Sequence, residues 1–577
     1  MSLRSRARTA LHPLVLLFVL GAAATCGRGA EERTAPSAPA TVTAPAPAPA
    51  PDGLLGEVVV RAPQSLWDEL RTALGTAGAS LPKSLGSGVA ASFALPLAVA
   101  AGLDGSRPIV AALGVSEGAL GGALAARVKS GEALVRELTL GRDPSHEAVV
   151  EGGVTVLRPR RAPLGDLVPS LGVVDDHVVL ASSERALAEY GRYLARTLAR
   201  AAPPDEALVA TLAPIALRTG ARELVERTVG ALRARLLATP VAGFVDLEAA
   251  TAAVRDLLDG LTGVRITAGL AGDRVRIGAE LAGRVFDTGP DAVAADLLAM
   301  PGDSLLAAAW GEGLPARTQM AARSAAQLAG GLGSAVGEPE RVALREALEL
   351  VAAGRGDHAA IGLRCTGMGL TALATGDLAA ADRARRGLEA LLALADRKLL
   401  DGWLAPRGLG FAHRRTRVAN VPLDVERVRL APRAPAERPP VAPAASSAGA
   451  APAPPPARAA TPVDLLLALG DARFALAAGA EADDGLGALF TPKGTLAEVP
   501  TSAPALGALP GPARWLVWVD SAGVAACLAG KPGSRAPAQA LLALGRRTGG
   551  DGAGWVALDA PVQLLAEVLA LGSDNEP

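Results

Sequence analysis

Residues 264–281 read V-R-I-T-A-G-L-A-G-D-R-V-R-I-G-A-E-L. Val264, Ile266, Ala268 and Leu270 alternate with polar or small residues, and Val275, Ile277, Ala279 and Leu281 do the same after the turn Ala271-Gly272-Asp273. A period of two on both arms, with Gly-Asp between them, predicts an antiparallel hairpin. Its wet face carries Arg274, Arg276, Gly278 and Glu280. The pattern recurs. Ile361, Leu363 and Cys365 lead through Gly367–Gly369 to Leu370–Thr375, and Leu171–Val174 lead through Asp175-Asp176 to His177–Ala181.

Helical spacing follows two of these hairpins. Ser182 is the expected N-cap before Leu187, Tyr190, Leu194 and Leu198, and Asp377 before Leu378, Ala381, Leu388, Leu391 and Ala395. Pro339 suits the first turn of a helix through R-V-A-L-R-E-A-L-E-L-V. Residues 221–237 place Leu224, Val225, Val229, Leu232 and Leu236 on one helical side. Four segments read as strand, polar residue, helix start, with Arg61, Asp246, Asp520 and Asp559 at the junctions. Aspartate there is expected to cap the first turn. The fold class is therefore α+β: antiparallel hairpin sheets with helices packed on one face, in repeated modules.

Two Pro/Ala-rich stretches divide the chain. Residues 1–25 read as a signal peptide, 26–53 as a tether and 54–431 as an α+β domain of two similar halves. Residues 432–461 read as a disordered linker and 462–577 as a small C-terminal α+β module. Alternating Ala and Pro in 35–51 favours an extended polyproline-II spacer. Half of the 577 residues are hydrophobic but only 3% aromatic, so the core must be Leu, Val and Ala. The net charge is -1 with Arg and Asp/Glu interleaved, which argues against a nucleic-acid partner.

The N-terminus carries the sharpest signal. Arg4, Arg6 and Arg8 precede an apolar run from Leu14 to Ala24, too short to span a bilayer and suited to export. Small residues and then Cys26 follow. This resembles a bacterial lipoprotein signal, which implies that Cys26 becomes the first mature residue and the lipid attachment site. Ala23 and Thr25 stand where that pattern has Leu and Gly or Ala, and ordinary cleavage near Ala24 is the alternative. The phrases V-V-D-D-H-V-V-L-A-S-S-E-R-A-L and A-A-G-L-D-G-S-R-P-I-V-A-A-L-G resemble uncharacterised secreted lipoproteins of GC-rich bacteria, grouped as domains of unknown function. That resemblance implies no activity and no site residues.

Nothing in the sequence marks a catalytic centre. Ser80-Leu81-Pro82-Lys83 matches the S-x-x-K nucleophile motif, but its partner motifs are missing and Pro82 sits between the two residues. Asp175-Asp176-His177 fits a hairpin tip, and His146-Glu147 lacks a second metal-binding His. Gly330-Gly331-Leu332-Gly333 reads as a flexible loop without a phosphate-binding Lys. Apart from Cys26 the cysteines are Cys365 and Cys527. An exported protein can pair them, but their apolar neighbours favour a role as buried small hydrophobes. Trp515, Trp518 and Trp555 are expected in the core, with an aromatic binding surface as the alternative.

The expected function is that of a lipid-anchored cell-envelope protein with a non-enzymatic binding or structural role. It uses no cofactor or metal, touches a membrane through its lipid, and has an envelope protein as its possible partner. The alternative is an envelope hydrolase with an unrecognised serine or carboxylate site.

Overall fold

The computed structural model describes residues 45–564 except 77, 94, 117–118, 161–168, 219–221, 223–225, 227–229, 231–246, 284–292, 334–335, 367–368, 396–403, 406–407, 433–461, 480, 531–537 and 548–552. The signal, Cys26, Asp246, nearly all of the 221–237 helix and the second Pro/Ala stretch lie outside the described residues. The chain forms two compact units. Unit 1 holds Met1–Arg227, Ala253–Phe286 and Arg547–Pro577; unit 2 holds Thr228–Ala252 and Asp287–Arg546.

Unit 1 is built on β1 (Leu54–Val60), β2 (Ile109–Ser116), β3 (Ala119–Arg127), β4 (His146–Glu151), β5 (Val154–Pro159), β6 (Ser170–Val174), β7 (His177–Ala181), β8 (Leu208–Leu212), β9 (Leu261–Ala271) and β10 (Arg274–Gly283). All pairings are antiparallel, in the order β4-β5-β6-β7-β3-β2-β1-β8-β9-β10. The strand Gly554–Pro561 continues the sheet beyond β10. The β9–β10 hairpin pairs Ala271 with Arg274, leaving Gly272-Asp273 as the turn, and Gly272 has φ +66°. A left-handed residue at that point is why glycine stands there.

Helices cover both faces of this sheet, not one. On one face α1 (Pro63–Ala73), α2 (Leu85–Ser92), α3 (Leu97–Gly102) and α4 (Gly131–Leu140) bury Leu66, Trp67, Phe93, Val99 and Leu134 against strand residues such as Ile109, Leu124 and Val178. On the other, α5 (Glu184–Arg196) buries Leu187, Tyr190 and Leu194 against Val110, Ala123 and Val179. Consecutive strand residues point to opposite faces, so Ile109 and Val110 enter different cores. Apolar residues at both parities of β2, β3 and β7 demand two covers.

The capping expectations resolve differently. Ser183, not Ser182, caps α5 by accepting from the Ala186 N–H; the Ser182 hydroxyl accepts from Gly122 N–H on β3. Asp559 is no cap. It lies inside the strand Gly554–Pro561, buried, opposite Arg276 and paired with Arg274 and Arg276. We expect Asp559→Ala to cost about 3 kcal/mol, because it removes the buried carboxylate that pairs with both Arg274 and Arg276. Urea unfolding of the variant checks this; an unchanged midpoint contradicts it.

Unit 2 uses β11 (Leu306–Gly311), β12 (Arg355–Thr366), β13 (Gly369–Leu378), β14 (Leu409–Thr416), β15 (Val425–Pro432), β16 (Val463–Leu469), β17 (Arg473–Gly479), β18 (Ala513–Asp520) and β19 (Gln539–Arg546). Their order is β14-β15-β16-β17-β13-β12-β11-β18-β19, all antiparallel. Step for step this repeats the first nine positions of unit 1.

The boundary expected at 432–461 is corrected by these pairings. The strands on either side of that stretch, β15 and β16, are hydrogen-bonded neighbours. The Pro/Ala stretch is thus an insertion in a hairpin connection, and 462–577 is not a separate module. β16–β19 complete unit 2, whereas Gly554–Pro561 belongs to unit 1. Pairing partners are chosen by non-local packing, which a composition break does not reveal.

The helices of unit 2 are α6 (Ala294–Leu298), α7 (Leu314–Leu332), α8 (Glu338–Gly354), α9 (Ala381–Leu394), α10 (Ala482–Phe490), α11 (Ser502–Gly507) and α12 (Ser521–Leu528). Pro339 stands in the first turn of α8 as expected. Gly330–Leu332 form the last residues of α7 rather than a loop, and Gly333 ends it at φ +64°. Asp377 does not cap α9 but stays in β13; the cap position is Ala380. Asp520 does cap α12, accepting from Gly523 N–H, and it also accepts from Ala538 N–H, each at 3.0 Å.

Cys365, at the end of β12, and Cys527, on α12, form a disulfide with a Cα–Cα distance of 6.1 Å. The expectation of two separate buried hydrophobes is therefore corrected. Apolar neighbours in sequence do not show that strand and helix bring the two thiols together.

Candidate functional site

The sequence-marked polar residues do not converge. Ser80 ends a short 3-10 turn, Gly78–Ser80, and Lys83 precedes Ser84, the cap of α2. The pair is not one turn apart on a helix, as S-x-x-K chemistry requires. At the β6–β7 tip, Asp175 has φ +51° and pairs with Arg196 and Arg200. Asp176 accepts from Gly131 N–H at the start of α4. His177 is buried, and its pKa is pushed down to about 4, first by burial and then by the Arg127 and Arg200 charges. Asp175 and Asp176 are thus held by different partners, Asp175 by arginines and Asp176 by the backbone of α4.

The remaining histidines are equally dispersed. His146 is buried on edge strand β4, its Nδ1 2.8 Å from the Ser145 hydroxyl, and burial lowers its pKa. His413 Nε2 lies 2.9 Å from Glu426 on β15. His358 Nδ1 is 3.2 Å from Asp296 of α6 and 3.9 Å from Asp377. Burial raises the Asp296 pKa, and Asp377 adds to this. Among the described residues no group of three or more His, Cys, Asp or Glu is arranged to hold a metal ion. No described helix is long and apolar enough to cross a membrane.

A second buried polar set stands at the base of α7. Arg317 is buried, donates to the Glu312 and Ala352 carbonyls and pairs with Asp357, while Arg355 pairs with Glu312. These bonds fix the start of α7 and the end of α8 beside β11 and β12. Each of these four charges is used in holding structure. Sequence reasoning did not single out this set, because its members are spread over 312–357 without a motif.

The distinctive surface of unit 2 is apolar. On one face of its sheet α10 packs closely: a Cβ at Gly485 would meet Thr371 and Leu373 side chains at 2.8 and 2.9 Å. That face buries Leu373, Ala475, Ala477, Leu466, Leu516 and Trp518. Register places the alternate residues on the opposite face, among them Trp310, Ile361, Leu465, Leu476, Trp515 and Leu542. Here Ile361 keeps 39% of its surface exposed, Trp515 41% and Leu542 44%. Trp310 and Trp515 are direct cross-strand partners whose rings stack at 5.8 Å.

The corresponding face of unit 1, the one turned away from α5, is sealed by α1–α4: Ile109, Leu124, Val178 and Leu180 are all buried there. Unit 2 has helices in the same connections, but the buried positions of α7 and α8 are mostly alanine: Ala321, Ala325, Ala329, Ala347 and Ala352. The larger apolar residues of α8, among them Leu344, Leu348 and Leu350, are only half-buried. Trp518 and Trp555 are buried as expected, whereas Trp515 takes the alternative place on an exposed face. Comparison with family models, curated proteins and solved structures finds no match to this chain.

Proposed function

We propose that this is an exported cell-envelope protein, held to a membrane by a lipid on Cys26, that binds a partner without catalysing a reaction. The open apolar sheet face of unit 2 carries the binding part of this reading. Exposed apolar patches of that kind mark interaction sites in soluble proteins. The Cys365–Cys527 disulfide supports export, because such bonds persist in oxidising compartments and are rare in the cytosol.

We also read the two units as copies of one module, on the strength of their matching strand order. In this reading unit 1 is the closed, structural copy and unit 2 the open, binding copy. The end of the tether also supports a fixed attachment. Thr197 on unit 1 exchanges hydrogen bonds with both backbone groups of Ala48, at 2.9 and 2.6 Å, and Arg200 donates to the Pro45 carbonyl. Residues 45–48 of the Pro/Ala stretch are thus held against unit 1.

Metabolic labelling with a fatty-acid analogue tests the anchor. Wild type should take up label and sediment with membranes, and Cys26→Ala should lose both. An unlabelled, freely soluble wild type after export contradicts it.

A further inference from the structure

We infer that the Cys365–Cys527 disulfide is a reducible latch: a dithiol opens it and frees α12, while the sheet of unit 2 stays folded. α12 belongs to the connection from β18 to β19, and the two ends of that connection are closed without the sulfurs. Asp520 accepts from Ala538 N–H at 3.0 Å, and the Ser521 N–H and hydroxyl donate to the Ala538 carbonyl at 3.0 and 3.1 Å. Asp520 N–H donates in turn to the Leu305 carbonyl, and from Asp520 and Gln539 onward the two strands are paired. Breaking the disulfide removes none of these bonds.

Beyond that closed stem little else holds the helix. Among its described side chains only Ala526 is buried. Eight residues are too few to stay helical in water by themselves, so α12 depends on its attachment to β12. Both cysteines are half-buried rather than sealed in the core, which leaves the bond within reach of a thiolate. The step is thiol–disulfide exchange. One thiolate of the dithiol attacks a sulfur of the pair, the S–S bond breaks, and the other cysteine leaves as a thiolate that takes up a proton. The second thiol of the reagent then displaces the mixed disulfide. Two electrons and two protons pass from the dithiol, which ends as a disulfide, to Cys365 and Cys527, which end as thiols. Cys365 stands four residues from the exposed Ile361 on the same face of β12, so release of α12 uncovers sheet beside it.

The test treats the full chain with dithiothreitol in native buffer. Alkylation and mass spectrometry follow the two thiols, and hydrogen exchange in pulses of seconds follows the backbone. Cys365 and Cys527 should both become alkylated without any denaturant. Amides of 521–529 should then exchange at least about tenfold faster, whereas those of β12 and β18 stay protected through the pulse. Oxidised glutathione should restore the bond and the protection together. The variant with both cysteines replaced by serine should show the fast α12 pattern with or without dithiothreitol. Thiols that appear only where urea unfolds unit 2 mark a purely structural staple and overturn the inference. So do α12 amides that keep their protection after reduction, or β12 and β18 amides that lose theirs along with α12. Reduced wild type carries the test even where the double variant fails to fold. None of these outcomes depends on Cys26 or on a binding partner.

Discussion

Replacing Cys365 and Cys527 with serine is expected to destabilise unit 2 by about 3–5 kcal/mol. The bond joins residues 162 apart in sequence, and closing so long a loop removes much of the unfolded chain's freedom. It also ties α12 to β12. Among the described side chains of α12 only Ala526 is buried, so the covalent link is a large share of what holds that helix. Urea unfolding of wild type with and without reductant, beside the double-serine variant, should show the same loss in both. A second readout comes from the Pro/Ala stretch, which lies inside the disulfide loop. Trypsin cutting after Arg433 or Arg458 should yield two fragments that separate only on a reducing gel. Separation without reductant, or an unchanged unfolding midpoint, contradicts the prediction.

Acid should destabilise unit 1 before its carboxylates titrate. His177 is held neutral in the fold, with a pKa of about 4 against 6.5 for the free side chain. Between those values the unfolded chain binds a proton that the folded chain excludes, so stability falls as pH falls. The penalty is absent above pH 6.5 and complete below about 4. It reaches about 3 kcal/mol, because each pH unit between the two values adds about 1.4 kcal/mol. His146, lowered by burial as well, acts in the same direction. His177→Gln should flatten the stability profile between pH 6.5 and 4.5. An equally steep profile in the variant would show that the decline comes from elsewhere.

These two groups show how far the sequence reaches. The β6–β7 and β9–β10 hairpins were legible because each is a local event: apolar strands, alternating in β9–β10 and continuous in β6–β7, around a turn residue that tolerates positive φ. The turn-proximal part of β12–β13, Ile361–Cys365 with Leu370–Thr375, was legible for the same reason. Capping at Asp520 is also local, a side chain reaching the third residue on. Asp559 carries the same sequence pattern but lies beside Arg274 and Arg276, 285 and 283 residues away, and the charge pair keeps it in the strand. Likewise Asp377 is kept in β13 opposite Arg473, and the Ser182 hydroxyl accepts from the backbone of β3.

The sequence by itself determined the α+β class, the antiparallel hairpins and an apolar core poor in aromatics. All of these follow from interactions within a few residues or from composition. Tertiary structure alone decided which strands became neighbours across the Pro/Ala insertion, that Cys365 and Cys527 bond, and that two sheets share one strand order. It also decided that helices cover both faces of the unit 1 sheet, whereas among the described residues Ile361, Trp515 and Leu542 stay exposed on one face of unit 2. Alternation states that a face is apolar. Whether it is covered depends on which side chains distant segments bring to it, as Leu66, Trp67 and Phe93 are brought to the unit 1 sheet.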